Sequence, residues 1–200
     1  MLTQDQQEAL QEIANIGMGQ AGASIAQVFD QFVQLSIPRI LILDADDMAG
    51  ALAKLVDGGQ ITAVRQAFHS HMRGEAIVLY GEQRCNDLAD LMGYDQKLDH
   101  VAEIELLLDV TNILVGACLG GIAEQLFIDI GFSAPSLMAD KVPADALLRA
   151  EDVSWSSALL VEVNFRLEKR SFACHLVILM AEEEIRAMGD ALDRFLEDCL

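Results

Sequence analysis

The chain has 200 residues, of which 52% are hydrophobic, so it can bury a sizeable core, and this composition argues against disorder. Its 13 Lys and Arg residues are outnumbered by 32 Asp and Glu residues, and the formal charge of -19 argues against nucleic acid and anionic membranes as partners. The amino terminus lacks the features of a signal peptide, and no apolar run reaches the roughly 20 residues needed to cross a bilayer. Four scattered cysteines without CxxC spacing fit the reducing cytoplasm, which is the expected location.

The first half of the chain predicts two longer helices separated by extended segments. Apolar residues at helical spacing indicate an amphipathic helix over 2–29, with Thr3 and Gln6 at capping-box spacing. Residues 32–43 are rich in large and β-branched apolar side chains and predict extended structure, with Pro38 at a strand end, an edge or a bulge. The further predictions are a short helix over 44–58, a strand or a hairpin over 68–80 that is broken near 73–74, and a helix over 83–92.

The second half predicts the same order of elements. They are a helix over about 101–128, an extended segment over 136–142, a helical or loop segment around 145–149, strands over 158–167 and 171–180 with a turn at 168–170, and a helix over 182–200. Because no Pro-rich or Ser-rich linker divides the chain, we expect one α/β domain of the α+β type over 1–200. It would consist of two pseudo-repeats, about 1–97 and 98–200, related by a pseudo-twofold axis.

One arrangement of an acidic residue, an asparagine and a proline occurs twice, and from Glu12 to Asp109 the offset is 97 positions. The same offset relates Asn15 to Asn112 and Pro38 to Pro135. It also holds for flanking pairs, which are Glu8 and Glu105, Leu10 and Leu107, Ile16 and Ile113, Gly19 and Gly116, Ile25 and Ile122, Ala26 and Ala123, and Ser36 and Ser133. The chain is therefore interpreted as a duplicated half that carries two versions of one polar site.

Helical geometry places the repeated polar residues on one stripe of each long helix. Spacings of four, seven and eleven residues bring together Glu8, Glu12, Asn15 and Gly19, and likewise Glu105, Asp109, Asn112 and Gly116. The apolar set Leu10, Ile13 and Gly17 faces elsewhere, so the polar stripe is expected to be exposed. Two alternatives stay open: each asparagine could bond a neighbouring backbone group, and Gly19 and Gly116 could serve tight helix packing rather than the approach of a partner.

The segments EALQEIANIGMGQAGASIAQVF and ELLLDVTNILVGACLGGIAEQLF, each followed by SIP or SAP, resemble the signature segments of the CheC, CheX and FliY family of chemotaxis phosphatases. That family has an Asp or Ser, three residues, a Glu, two residues, an Asn, and a Pro some twenty residues later. Here E-x3-E-x2-N-x22-P and E-x3-D-x2-N-x22-P recur with equal spacing. The order of elements also fits the pseudosymmetric fold of the family over nearly all of the chain.

The resemblance implies a phosphatase that removes the phosphoryl group from the aspartyl phosphate of a CheY-like receiver domain in chemotaxis or two-component signalling. In the family, the Glu contacts a lysine of the receiver and the Asn carboxamide orients the attacking water. Carried over, Glu12 and Asn15 form the first site, and Asp109 and Asn112 form the second. No cofactor or metal is expected on this chain, since the Mg²⁺ belongs to the receiver.

The second site departs from the family pattern because Asp109 replaces the expected Glu and shortens its reach by one methylene, so the first site is expected to be the more active. Glu8 and Glu105 stand where the family more often has Asp or Ser.

The alternative function is a non-catalytic module, which would be a receiver-binding phosphate sink, a flagellar switch component or an adaptor for a CheD-like deamidase. A third interpretation is a ligand-sensing α/β domain. Exposed strand edges could also support a homodimer.

Overall fold

A computed structural model of the protein describes residues 2–44, 47, 50–51, 54, 59–81, 98–143, 146–147, 157–167 and 173–198. Its helices are α1 (Gln4–Phe29), α2 (His100–Gln125) and α3 (Glu182–Asp198). Its strands are β1 (Val33–Leu35), β2 (Arg39–Asp44), β3 (Gln60–Ser70), β4 (Gly74–Gly81), β5 (Ile130–Phe132), β6 (Ser136–Pro143), β7 (Ser157–Leu167) and β8 (Ala173–Ala181). The predicted α+β fold class is confirmed.

All strand pairs in this sheet are antiparallel, and its order is β1-β7-β8-β4-β3-β5, with β2 also on β7 and β6 also on β3. The short strands of each half therefore pair with the long strand of the other half. Val33 is opposite Leu167, and Ile130 is opposite Ser70, so the register repeats with the offset of the sequence. Each motif helix is consequently followed by a segment that is anchored on the other half.

The predicted elements that lie within the described residues agree with the structure, apart from differences in the strands. The extended segment 32–43 is divided into β1 and β2, and the buried Pro38 lies between them. The hairpin of β3 and β4 forms, but β3 begins at Gln60, earlier than predicted. The prediction began too late because the buried polar residues Thr62 and Gln66 interrupt the apolar run of this strand. The three-residue strand β5 was not predicted. The predicted helix over 83–92 and turn at 168–170, and most of the segments 44–58 and 145–149, lie outside the described residues, as does the predicted repeat boundary near 97.

Helices cover one face of the sheet and form the larger part of the core. The larger hydrophobic cluster contains residues of all three helices together with alternate residues of the central strands, such as Val64, Phe68 and Val78. A smaller cluster that includes Ile77 and Leu147 lies on the other face. One helix in the described part of the chain, α2, is long and apolar enough to span a membrane by composition, with a mean hydropathy of 1.9, yet 61% of that window is buried inside the protein.

Two glycines bring the motif helices α1 and α2 into contact. A Cβ atom on Gly17 would lie 2.8 Å from the backbone carbon of Gly121, and a Cβ on Gly121 would lie 2.5 Å from the carbonyl oxygen of Gly17. No side chain fits at those distances, so the backbones approach each other directly. The helices begin at well-defined caps, since Thr3 and Gln6 form the predicted capping box and Asp99 accepts a hydrogen bond from the Ala102 N–H group.

Candidate functional site

The first motif presents its polar residues to solvent. Glu8, Glu12, Asn15 and Gly19 are all exposed on α1, whereas Leu10, Ile13 and Gly17 are buried. The helix is therefore anchored by one face and leaves the carboxylate and the carboxamide accessible on another, as the spacing predicted.

The second motif has the same orientation on α2. Glu105, Asp109 and Asn112 are exposed, and Gly116 is half-buried. Among the residues that the structure describes, a Cβ atom on Gly19 or Gly116 would meet no other atom within 4 Å, which contradicts the tight-packing interpretation of these two glycines. Each leaves an open gap one turn beyond its asparagine.

Asn15 is held by a glutamine one turn before it. Nε2 of Gln11 donates to Oδ1 of Asn15 at 3.2 Å and to the carbonyl oxygen of Pro38 at 3.0 Å. The glutamine thus links the asparagine to the segment that follows the helix. The repeated proline is part of the site because its backbone carbonyl anchors this link.

Asn112 is held in a similar way by a residue from a different element. Nε2 of Gln66, on β3, donates to Oδ1 of Asn112 at 2.8 Å and to the carbonyl oxygen of Ser133 at 2.9 Å. Gln66 is only 1% exposed, and its Oε1 atom is buried without a hydrogen-bond partner in the part of the chain that the structure describes. The carboxamide of Asn112 is therefore exposed on one side and supported from the interior on the other. Both described bonds of the asparagines are to side chains, not to backbone groups.

The repeated serines fix the segments that carry these carbonyl groups. Ser36 N–H donates to the carbonyl oxygen of Asn164 at 2.9 Å, and its Oγ accepts from the Asn164 N–H at 2.9 Å. Ser133 does the same with Ala67 of β3, at 2.9 Å and 3.1 Å. Each serine thus forms the two hydrogen bonds of a paired strand residue, with its hydroxyl oxygen in place of its backbone carbonyl as the acceptor. Sequence reasoning recorded the serine repeat but had no signal for this role.

The first site is bordered by an apolar groove. The groove has a volume of about 490 Å³ and extends from Asn15 and Gly19 to Pro38. Two large apolar side chains on its wall are exposed, Phe32 at 60% and Ile37 at 76%. The residues 97 positions later are Asp129 and Ala134, so the second site lacks these two apolar side chains.

The two site carboxylates are available to a partner. Glu12 and Asp109 form no ion pair with any residue that the structure describes, whereas Arg39, which follows Pro38 in the chain, is paired with Glu162 at 3.2 Å. Within the described ranges, no three His, Cys, Asp or Glu side chains converge as metal ligands. The site can therefore offer an unpaired carboxylate and an anchored carboxamide, twice, on one molecule.

Comparison with solved structures finds the same architecture in FliY, FliM and CheX proteins. No protein-family model matches the sequence. FliY from Thermotoga maritima superposes with a TM-score of 0.73 at 16% identity, covering 98% of this chain and 99% of FliY. A FliG–FliM complex from H. pylori gives a TM-score of 0.64 at 10% identity, covering 94% of this chain and 100% of the matched chain of the complex.

CheX from Desulfovibrio desulfuricans is also similar, with a TM-score of 0.55 at 14% identity that covers 84% of this chain and 99% of CheX. These identities are low, so the comparisons establish the fold. The resemblance that the sequence motifs predicted is confirmed at that level: the chain has the fold of the CheC, CheX and FliY proteins.

Proposed function

We propose that this protein is a cytoplasmic phosphatase that hydrolyses the aspartyl phosphate of a CheY-like receiver domain. The observation that supports it most is the pair of exposed asparagines, Asn15 and Asn112, each anchored through Oδ1 and each preceded by an unpaired carboxylate. Two copies of such a pair on one fold are difficult to explain by the packing of the chain alone, because neither carboxylate forms an ion pair with a residue that the structure describes.

The chemistry of an acyl phosphate suits these side chains. Its hydrolysis needs a water molecule in line with the leaving carboxylate, and catalysis of phosphoryl transfer is mostly positioning and charge neutralisation. A carboxamide oxygen has two lone pairs, so Oδ1 can accept from the glutamine and from the attacking water at the same time. The receiver supplies the phosphorylated aspartate and the Mg²⁺, and this protein supplies the group that orients water.

Glu12 and Asp109 have a supporting role in this proposal. Each would pair with a lysine of the receiver and set the orientation in which the helix docks. An exposed ion pair contributes only about 0 to 1 kcal/mol, so the carboxylates would govern alignment more than affinity. The shorter Asp109 would hold the receiver differently from Glu12, which predicts unequal rates at the two sites.

The test is the decay of a phosphorylated receiver with Mg²⁺ present, measured with wild-type protein, Asn15→Ala, Asn112→Ala and the double variant. We expect the wild type to accelerate the decay. Each single variant should lose the part of the acceleration that its substituted site contributes. The double variant should fall to the intrinsic rate, because a misplaced water can cost on the order of a hundredfold in rate.

Two outcomes would count against the proposal. Decay that the wild-type protein leaves unchanged, across the receivers of the same organism, would exclude a phosphatase acting on them. Acceleration that persists in the double variant would remove the asparagines from the mechanism. Circular dichroism of all four proteins is the control, since Asn15 and Asn112 are exposed and their truncation is expected to leave the fold intact.

A non-catalytic binding module is the second candidate, and two observations favour it. FliM, which was crystallised with FliG, shares the fold, and the apolar groove beside Asn15 is a suitable place for a docked protein. Such a module would bind a receiver or a CheD-like deamidase without turning over phosphate. Co-purification of a phosphorylated receiver with no change in its decay would support this candidate over the phosphatase.

A further inference from the structure

Gln11 and Gln66 make the same pair of hydrogen bonds from positions that the duplication does not relate. Each Nε2 atom donates to an asparagine Oδ1 and to a backbone carbonyl of the segment after the motif helix. Gln11 lies on α1, and the residue 97 positions later is Leu108. Gln66 lies on β3, and its equivalent on β7 is Val163. Inheritance of a duplicated half therefore accounts for the asparagines but not for the glutamines.

We propose that Gln11 and Gln66 are positioning residues that fix the carboxamides of Asn15 and Asn112 for the attacking water. This inference rests on the proposed function. Neither glutamine is a catalytic residue, since each would act through its asparagine. The two halves would have arrived at one solution from different elements, which indicates that the fixed asparagine, and not the glutamine itself, is what the site requires.

The hydrogen bonds determine the orientation of each asparagine carboxamide, that is, which side carries Oδ1 and which carries Nδ2. The carbonyl oxygens of Pro38 and Ser133 can only accept, so the glutamine atom beside each must be the nitrogen. That nitrogen can only donate, so the asparagine atom beside it must be the oxygen. The terminal torsion angle χ2 of a free asparagine has a broad distribution with two nearly equivalent orientations. The hydrogen bonds from the glutamine select one of these two orientations. A backbone carbonyl thus orients the asparagine through the glutamine.

The environment of Gln66 argues that it is not there for stability. It shares the helix-facing side of β3 with the core residues Val64 and Phe68, and its own Oε1 atom is buried with no hydrogen-bond partner among the described residues. An unpaired buried acceptor destabilises a fold. At the equivalent place on β7, the fully buried Val163 fills the space with an apolar side chain. An apolar residue at 66 would serve the core at least as well, so a buried glutamine there needs another explanation.

The kinetic experiment tests each glutamine in a background where one site is silent. Gln66→Met is added to Asn15→Ala, which leaves the second site, and to Asn112→Ala, which leaves the first site. In the first background the maximal acceleration of receiver dephosphorylation should fall about tenfold or more, because small misplacements at a reacting centre are costly. The receiver concentration for half-maximal effect should not change, since a side chain that is 1% exposed cannot touch the receiver.

The mirrored variants complete the kinetic set. In the Asn112→Ala background Gln66→Met should have no effect, whereas Gln11→Leu, which introduces the residue of the other half, should lower the maximal rate. Gln34→Leu, at an exposed glutamine of β1, is the matched control for the loss of a glutamine and should leave both sites unchanged. If the Asn15→Ala background has no activity to lose, Gln11→Leu in the other background provides the rate measurement.

A second measurement needs neither receiver nor turnover. Side-chain ¹⁵N relaxation of the asparagine Nδ2H2 groups reports how rigidly each carboxamide is held. We expect Gln66→Met to increase the mobility of the Asn112 group and to leave that of Asn15 unchanged, and Gln11→Leu to do the opposite. Because Gln11 is on the surface of α1, its variant keeps the test available even if Gln66→Met does not fold.

The outcomes separate this inference from the proposed function. Unchanged mobility of both asparagines in the glutamine variants would overturn the positioning role, whatever the activity. An equal fall in rate in both asparagine backgrounds would also overturn it, since the effect would not pass through one asparagine. If the wild-type protein accelerates no receiver, the phosphatase proposal fails, and the relaxation measurement alone decides whether the glutamines hold the asparagines.

Discussion

The side chains of the sites differ in their exposure to solvent. The asparagines are exposed, whereas the glutamine behind the second one is inaccessible and ends in an unpaired oxygen. Groups that touch a partner must be reachable, and groups that hold them in place need not be. The least exposed polar residue of the second site is Gln66, and we expect its replacement to affect Asn112 without altering the exposed surface of the site.

Another buried group predicts how the stability of the protein depends on pH. Burial raises the pKa of the Cys118 thiol from 9.0 to about 12. Between these values the folded protein keeps a proton that the unfolded chain has lost, so the free energy of unfolding should fall as the pH rises. The fall due to this thiol is at most about 1.4 kcal/mol per pH unit. Below pH 9 the thiol is protonated in both states and adds no slope.

Urea unfolding of wild type and Cys118→Ala between pH 7 and pH 12 measures this contribution. The variant should be less stable at pH 7, because it loses buried volume, by about 1 kcal/mol. It should then lose less stability than the wild type above pH 9. Parallel declines in the two proteins would contradict a buried, protonated thiol at this position.

The site residues that could be predicted from sequence are those that repeat. Asn15 and Asn112 share the offset and a common spacing to an acidic residue, so both were predicted as site residues. Gln66 carried no such signal, since it is 46 residues from Asn112 in the chain and its equivalent is a valine. Gln11 was missed for a different reason: it lies inside the motif, yet the residue at the equivalent position is apolar. A side chain whose role depends on a tertiary contact produces no periodic pattern in the sequence.

At the scale of elements, the two motif helices owe their positions to a contact between glycine backbones. Gly17 and Gly121 are not 97 positions apart, so the repeat did not reveal them. The repeated glycines, Gly19 and Gly116, are the ones that face open space. A glycine in a helix is thus used in two ways here, and only the structure separates them.

Alanine substitutions should separate these two uses. Gly17→Ala should destabilise the protein by about 1–3 kcal/mol, because its Cβ would overlap the backbone of α2. Gly19→Ala, two residues later on the same helix, meets no atom and should stabilise it by up to about 1 kcal/mol through helix propensity. Urea unfolding of the isolated protein measures both. Equal effects of the two substitutions would show that the helices are not in direct backbone contact.

Predictability also varied among the elements. The long helices were predicted to within a few residues because they combine caps with a continuous apolar face. Strand β5 was missed because three residues are too few to show a period, and β3 was predicted too short because its pattern contains buried polar side chains. In both cases pairing with a distant strand, rather than local sequence, decides the structure.

At the scale of the whole molecule, the halves are joined by strand pairing in both directions. β1 and β2 lie on β7, and β5 and β6 lie on β3. Removing either half would expose the ladder edges of the other and open the core between α1 and α2. The predicted division near residue 97 would therefore mark a repeat in sequence and not an independent folding unit.

Fragments 1–97 and 98–200 provide the test. Each alone should lack a cooperative thermal transition, because its motif helix and short strands have no surface to pack against. Mixed in equal amounts, they should restore a cooperative transition and the helical circular dichroism of the intact chain. Size-exclusion chromatography is the control for self-association. A single fragment that unfolds cooperatively as a monomer would contradict the expectation.

The exchange of strands has a consequence for how the two sites can diverge. Because Gln66 belongs to the first half and Asn112 to the second, a chimaera that combines halves from two relatives would separate Asn112 from the side chain that holds it. Changes that adapt the second site would then fall in both halves of the sequence. A substitution of Gln66 in the first half changes the surroundings of Asn112 in the second half, so neither half can be altered independently of the other.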